Sequence, residues 1–83
     1  MITLLYFASI REALGCEKET LELPESISVN SLITQLRARN KNWENILDSR
    51  TELLIAVNQQ MSDHEAIIHQ GDEVAFFPPV TGG

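Results

Sequence analysis

One stretch of this chain has the spacing of an amphipathic helix over about two turns, and it restricts what the other residues can form. Ser28 is a good N-cap residue. The apolar side chains that follow it stand at i, i+3, i+4 and i+7, namely Val29, Leu32, Ile33 and Leu36. The pattern predicts a helix that ends near Arg39 and Asn40. Because a chain of 83 residues has room for one core, the apolar face of this helix is expected to lie on a single sheet.

Four segments around this helix are predicted to be strands. Residues 2–7 alternate, with Ile2, Leu4 and Tyr6 on one face and Thr3, Leu5 and Phe7 on the other. Residues 20–23 alternate again before Pro24, and residues 53–57 are apolar enough for a buried strand. Residues 74–77 form the last strand. The two strands that precede the helix are expected to pair with each other.

Shorter elements are expected to connect these strands. Ser9 is expected to cap a helical turn that Gly15 ends in the left-handed conformation. Residues 43–47 suggest a further short turn, in which Trp43 plugs the edge of the core. Residues 58–60 are a predicted polar turn before a short segment at Met61. Two further turns are predicted, at residues 48–50 and at residues 70–72. The order of elements predicts an α+β domain over residues 1–77.

Composition excludes several classes of function. The net charge of −6 opposes binding to nucleic acids or to anionic lipids, so a basic protein is the better partner. No apolar run approaches the roughly 20 residues of a membrane-spanning helix, and the first residues make a poor signal peptide. A cytoplasmic protein is therefore expected.

The residues that could bind metals or act as nucleophiles are few. Cys16 is the only cysteine, which leaves no intrachain disulfide, and it is expected to be a bystander thiol. His64 and His69 are five residues apart and make a weak metal site, so none is predicted. No nucleophile lies at a useful spacing from a base, and no Gly-rich phosphate loop is present. The chain is not expected to contain an active site of its own.

The tail has the most unusual composition. Residues 74–83 contain no charged side chain in an otherwise acidic protein. Pro78 and Pro79 favour an extended chain, and Gly82 and Gly83 have no Cβ and can enter a narrow slot. A frayed terminus is the simplest alternative. Residues 78–83 are instead expected to form a flexible extended tail whose terminal carboxylate reacts, with Val80 and Thr81 contacting a partner together with the two prolines.

Strand parity predicts a docking surface near the root of this tail. Phe7 lies on the face of the first strand that carries Thr3, and Phe77 lies on the face of the last strand that carries Glu73. Both rings are expected to point away from the helix. Met61 is expected to be a third member of this apolar surface, and Arg11 is expected to make a polar contact at its rim.

Three separated motifs resemble one family. GDEVAFFPPVTGG at residues 71–83, LLYFASIRE at residues 4–12 and AVNQ at residues 56–59 are similar to the small, sulfur-carrying subunit of molybdopterin synthase, the MoaD type. The resemblance covers the whole chain. It implies a ubiquitin-like β-grasp fold, with a mixed sheet and one main helix packed across it, and it makes the first and last strands neighbours.

The resemblance also implies a chemistry. An ATP-using enzyme related to ubiquitin-activating enzymes adenylates the carboxylate of Gly83, and a sulfur donor protein converts the product into a thiocarboxylate. The carrier then inserts its tail into the large subunit, in a heterotetramer of two small and two large subunits. There the sulfur is transferred to cyclic pyranopterin monophosphate, and two transfers make the molybdopterin dithiolene. No cofactor is bound stably, and ATP is used by the activating enzyme.

Two alternatives stay open. The chain could carry sulfur for thiamin or for tRNA thiolation, although the FFPPV sequence favours the molybdopterin branch. It could also be a non-catalytic β-grasp adaptor that binds a partner through its sheet and never reacts at its terminus.

Overall fold

The computed structural model describes residues 1–39, 41–43 and 53–78. These residues form seven strands and two helices: β1 (Ile2–Tyr6), α1 (Ala8–Leu14), β2 (Lys18–Leu21), β3 (Ile27–Ser28), α2 (Val29–Arg39), β4 (Leu54–Val57), β5 (Gln60–Ser62), β6 (Ile67–Ile68) and β7 (Glu73–Phe77). Five strands form one sheet in the order β2-β1-β7-β4-β5, and β3 pairs with β6 in a second sheet of two strands. β1 and β7 are parallel neighbours, whereas every other pair is antiparallel. This mixed sheet with α2 packed on it is a ubiquitin-like β-grasp fold, as the resemblance implies.

Helix α2 forms as the sequence predicts. Its four apolar residues, Val29, Leu32, Ile33 and Leu36, are all buried. The hydroxyl of Ser28 accepts a hydrogen bond from the backbone N–H of Ser31 at 3.1 Å, which is the expected N-cap. The N–H groups of Val29 and Asn30 donate to carbonyls in the loop before β6, each at 2.9 Å. The backbone N–H groups at the start of α2, which have no acceptor within the helix, therefore donate to its cap and to this loop.

The core lies between α2 and the inner face of the sheet. Ile2, Leu4 and Tyr6 of β1 are each no more than 1% exposed, and the alternate residues of β1 are more exposed, as predicted. Trp43 was expected at the edge of the core but is only 1% exposed. Its ring packs edge-on against Tyr6 and Phe76, with centroids 5.8 and 5.5 Å apart. The prediction that the first and last strands are neighbours is confirmed.

The structure corrects the prediction for the first helix. Ser9 does not cap α1, because the helix begins at Ala8 and its N-cap position is Phe7, two residues before Ser9, with no side-chain cap. The carbonyl of Phe7 accepts hydrogen bonds from the N–H groups of Ile10 and Arg11 instead. Gly15 ends the helix in the left-handed conformation, with φ of 74°, as predicted.

Strand boundaries shift by one or two residues elsewhere. β2 covers residues 18–21 rather than 20–23, because its pairing with β1 ends where Leu21 meets Ile2 at the start of that strand. Gln60 belongs to β5 and not to the preceding turn, which consists of Asn58 and Gln59. The pair β3 and β6 was not predicted, since two residues per strand are too few to show a period. The turn predicted at residues 43–47 lies outside the described residues except for Trp43. The whole of the turn predicted at residues 48–50 lies outside them as well.

Candidate functional site

Phe7 and Phe77 form a ring stack on the face of the sheet opposite α2. Their centroids are 4.7 Å apart and their planes differ by 8°. The contact follows from register, because Tyr6 pairs with Phe76 in the parallel ladder and the next residues are Phe7 and Phe77. Phe7 is 39% exposed. The two rings therefore lie together and face solvent on the side that strand parity predicts.

These rings form part of an apolar groove of about 380 Å³, lined by Phe7, Ala8, Leu54, Met61, Phe77 and Pro78. Sequence reasoning missed Leu54 and Ala8. Leu54 could have been found from the pairing of β4 with β7, which sets it opposite Phe77. Met61 is 64% exposed and enters the groove because it pairs with Ala56 on the same face. The groove is thus built from four separate segments of the chain.

Phe7 occupies a constrained position between β1 and α1. Its N–H donates to the carbonyl of Phe76 at 3.3 Å, which continues the ladder by one residue. The next residue, Ala8, has a φ of 52° in the left-handed region, which costs an L-residue about 1–2 kcal/mol. This sharp turn lets the helix begin at once while the Phe7 ring stays on the sheet. Strain of this kind is often found at functional sites.

An aromatic cluster supports the ring stack from the opposite side of the sheet. Tyr6 and Phe76 precede Phe7 and Phe77, and their own rings are stacked with centroids 5.8 Å apart. The Tyr6 hydroxyl donates to Glu19 at 2.8 Å, and Arg39 at the end of α2 donates to the same carboxylate at 2.5 Å. Burial and the hydrogen bond to Glu19 raise the pKa of Tyr6 well above its usual value. Tyr6 therefore stays protonated and remains a donor.

The groove adjoins the root of the tail. β7 ends at Phe77, and Pro78 forms part of the groove wall. The other predicted tail residues, Pro79, Val80, Thr81, Gly82 and Gly83, lie outside the described residues. Whatever binds in the groove consequently lies next to the end of β7, where the predicted tail begins.

The remaining residues singled out in the sequence lie elsewhere. Arg11 does not line the groove, and its guanidinium is 4.0 Å from the carboxylate of Glu17. Cys16 is half-buried, and burial raises the pKa of its thiol, which disfavours the reactive thiolate. In the ranges that the structure describes, no three His, Cys, Asp or Glu side chains are grouped to hold a metal ion. No helix in these ranges is long and apolar enough to cross a membrane.

Comparison with known proteins decides the family. The model of the ThiS family matches residues 4–83, nearly the whole chain. The chain belongs to the ThiS family. Among its relatives in this family, the molybdopterin synthase sulfur carrier subunit of Escherichia coli is 40% identical over 83 residues, and that of Haemophilus influenzae is 36% identical over 83 residues. Both alignments cover the full length of both chains.

Solved structures show the same fold. A protein described as subunit 1 of the molybdopterin converting factor from Pyrococcus furiosus is 31% identical to this ThiS-family chain. It has a TM-score of 0.79 and covers 95% of this chain and 97% of its own. A chain in the complex of subunits 1 and 2 of the Helicobacter pylori factor has a TM-score of 0.67 at 19% identity, and the match covers 99% of this chain and 97% of that one. The β-grasp topology is common to all three.

Proposed function

We propose that this ThiS-family protein is the sulfur carrier subunit of a molybdopterin synthase. The observation that carries the proposal is the full-length match, at 36% and 40% identity, to two proteins of that name. The geometry supports it, because an exposed apolar groove adjoins the root of a tail that ends in two glycines. A carrier needs both features, one to bind a partner and one to reach into it.

The reactive group in this proposal is the carboxylate of Gly83. Its oxygen attacks the α-phosphate of ATP on a separate activating enzyme, pyrophosphate leaves, and an acyl-adenylate forms. AMP is a better leaving group than a carboxylate oxygen, so a sulfur atom at the oxidation level of sulfide, supplied by a donor protein, can attack the acyl carbon and displace AMP, which leaves a thiocarboxylate. On the large subunit the thiocarboxylate sulfur bonds to cyclic pyranopterin monophosphate, and water then cleaves the acyl–sulfur bond, which leaves the sulfur on the pterin and returns Gly83 to a carboxylate. Two such transfers make the dithiolene of molybdopterin.

The chain's own residues bind and position rather than catalyse. We expect residues 1–77 to be the domain that docks and residues 78–83 to be the tail that enters the partner, since Gly82 has no Cβ to obstruct a narrow passage. The acid, base and anion-binding groups belong to the partner proteins, and no cofactor is bound stably. The solved H. pylori complex of subunits 1 and 2 supports a large-subunit partner, which we expect in a cytoplasmic heterotetramer of two small and two large subunits.

The proposal is tested at the terminus. One residue appended after Gly83 moves the carboxylate by about 3.5 Å, and a misplacement of about 1 Å can cost about a hundredfold in rate. The extended protein and a protein lacking Gly83 should both fail to gain sulfur when incubated with the activating enzyme, ATP and a sulfur source. Intact mass reports the thiocarboxylate, and dithiolene formation reports the transfer.

A cleavable extension is the matched control. A protein whose extension is removed by a protease to restore Gly83 should regain full activity, which shows that the core was undamaged. Synthesis at the wild-type rate by the untrimmed extension would refute the role of Gly83. An absence of any mass change in the wild-type protein would instead favour the adaptor alternative. Sulfur transfer to a thiamin precursor or to tRNA, but not to the pterin, would favour the other carriers.

A further inference from the structure

β5 forms one edge of the five-stranded sheet, so its backbone has a neighbour on one side only among the described residues. Asn58 and Gln59 form the turn between β4 and β5, with φ of 52° and 68°. Two positive values are typical of a type I′ turn in a two-residue hairpin. The residues that flank such a turn, Val57 and Gln60, form a pair that exchanges backbone hydrogen bonds.

The next pair along the hairpin leaves backbone groups free. Hydrogen-bonded and non-hydrogen-bonded pairs alternate in an antiparallel ladder, so Ala56 and Met61 form a non-hydrogen-bonded pair. The N–H and C=O groups of Met61 therefore point away from β4 and toward the open edge. Within residues 1–39, 41–43 and 53–78, no other strand lies on that side. Gln60 and Ser62 form the hydrogen-bonded pairs with Val57 and Ile55, so their backbone groups point toward β4 and Met61 is the open position of β5.

Met61 also belongs to the apolar groove. Its side chain is 64% exposed and lines the groove with Leu54 and Phe77. A backbone donor and a backbone acceptor that have no partner among the described residues thus occur at one residue together with an apolar side chain. A second extended backbone is the partner that matches a donor and an acceptor at this spacing.

We propose that the protein partner of the groove adds an extended segment to β5 and exchanges two backbone hydrogen bonds with Met61. The inference rests on the proposed function, since it describes how the large subunit binds. The partner residue directly opposite Met61 places its side chain on the same face of the sheet, over Leu54 and Phe77. That residue must therefore be apolar.

The length of β5 limits what this contact can do. The strand has three residues and is followed by a turn, in which the N–H of Ala66 donates to the carbonyl of Asp63 at 3.3 Å. The added segment can pair only around Met61. Two hydrogen bonds set the register of the partner on the sheet, while burial in the groove supplies most of the affinity.

The test removes one N–H and keeps every side chain. Protein ligation replaces Met61 by its α-hydroxy acid, so that an ester oxygen stands where the N–H was. We expect the Kd for the large molybdopterin synthase subunit to rise about tenfold, because a buried carbonyl of the partner loses its donor. Isothermal titration calorimetry measures the Kd, and circular dichroism during urea titration checks the fold.

Thr20 offers a matched control on the opposite edge of the sheet. The N–H of Tyr6 donates to the carbonyl of Glu17 at 2.9 Å. By the same alternation the N–H of Thr20, which pairs with Thr3, points outward from β2. An ester at Thr20 makes the carbonyl of the preceding residue a weaker hydrogen-bond acceptor, as the ester at Met61 also does. The Thr20 ester is expected to leave the Kd unchanged.

Three outcomes separate the hypotheses. An unchanged Kd for the Met61 ester, or an equal rise in both esters, overturns strand addition and leaves the proposed function intact. A wild-type protein that does not bind the large subunit overturns the proposed function and this inference with it. If the Met61 ester does not fold, hydrogen exchange on the wild-type complex decides. The Met61 amide should exchange at least about tenfold more slowly than in the free protein, and an unchanged rate refutes the inference.

Discussion

At the residue scale, the groove depends on two phenylalanines that stack because two distant parts of the chain form a parallel ladder. Phe7 and Phe77 are 70 positions apart in the sequence, and their centroids are 4.7 Å apart. Neither ring belongs to the core, since both lie on the face away from α2. Their removal should therefore affect binding far more than folding.

We expect Phe7→Ala and Phe77→Ala each to weaken binding to the large subunit by more than about 1 kcal/mol, the scale of an aromatic anchor. Thr3→Ala, on the same face but outside the groove, is the control and should bind normally. Calorimetry gives the affinities and circular dichroism verifies the fold. Wild-type affinity in both phenylalanine variants would exclude the groove as the docking site.

A second group of residues connects the turn between β4 and β5 to the segment before β7, at the end of the sheet away from the groove. The Asp72 carboxylate accepts hydrogen bonds from the backbone N–H of His69 at 2.8 Å and from the side-chain amide of Asn58 at 3.0 Å. These two bonds, the one from His69 first, lower the pKa of Asp72 below its usual value. Because the folded-state pKa is depressed, the carboxylate stabilises the fold above its unfolded pKa of about 3.9. This stability is lost as the pH falls through the folded pKa.

Asp72→Asn should lower the free energy of unfolding by about 1–2 kcal/mol at pH 7, because one of the two donors then faces an amide instead of an acceptor. The difference from wild type should be smaller in strong acid than at pH 7, because the wild-type carboxyl is itself protonated once the pH has fallen through its folded-state pKa. Urea titrations at the two pH values measure both quantities. An equal difference at each pH would show that the charge of Asp72 contributes nothing.

At the element scale, α2 begins where two parts of the chain meet. Ser28 caps the helix through its hydroxyl, and the loop before β6 supplies carbonyls to the next N–H groups. The cap is a local feature that a sequence pattern reveals. The loop carbonyls come from residues more than 30 positions later, and only the folded chain brings them there.

Ser28→Ala should lower the free energy of unfolding by about 1 kcal/mol, because the N–H of Ser31 loses its acceptor. Ser28→Asp restores an acceptor at the same position and should recover most of the loss. Thermal unfolding monitored by circular dichroism compares the three proteins. Equal stability of the alanine variant and the wild type would mean that water replaces the cap without cost.

At the scale of the whole molecule, Trp43 joins the helical layer to the sheet. Its ring packs on Tyr6 of β1 and Phe76 of β7, directly behind the stack formed by Phe7 and Phe77. A small domain usually has a free energy of unfolding of about 5–15 kcal/mol. The loss of one large buried ring is therefore a substantial part of the total.

Trp43→Ala should cost about 3–5 kcal/mol and leave a cavity between the two layers. Trp43→Phe keeps most of the apolar volume and should cost much less. The urea midpoint by circular dichroism ranks the three proteins. If the alanine variant were as stable as wild type, Trp43 could not be a central part of the core.

The sequence by itself determined what depends on local spacing. Period 3.6 identified α2 and its buried face, period 2 identified β1, and parity set Phe7 and Phe77 on the outer side. These patterns are visible because one side of each element meets apolar neighbours and the other meets water. Three motifs indicated the family, and the match to residues 4–83 confirmed it.

Only the tertiary structure decided what depends on contacts between distant segments. The helix start at Ala8 follows from the bonds that Phe7 accepts, and the end of β2 follows from its register with β1. Leu54 lines the groove because β4 pairs with β7, and Met61 has an open backbone edge because β5 is the last strand of the sheet in the part of the chain that the structure describes. Strand order and register are properties of pairing, and no period along one segment contains them.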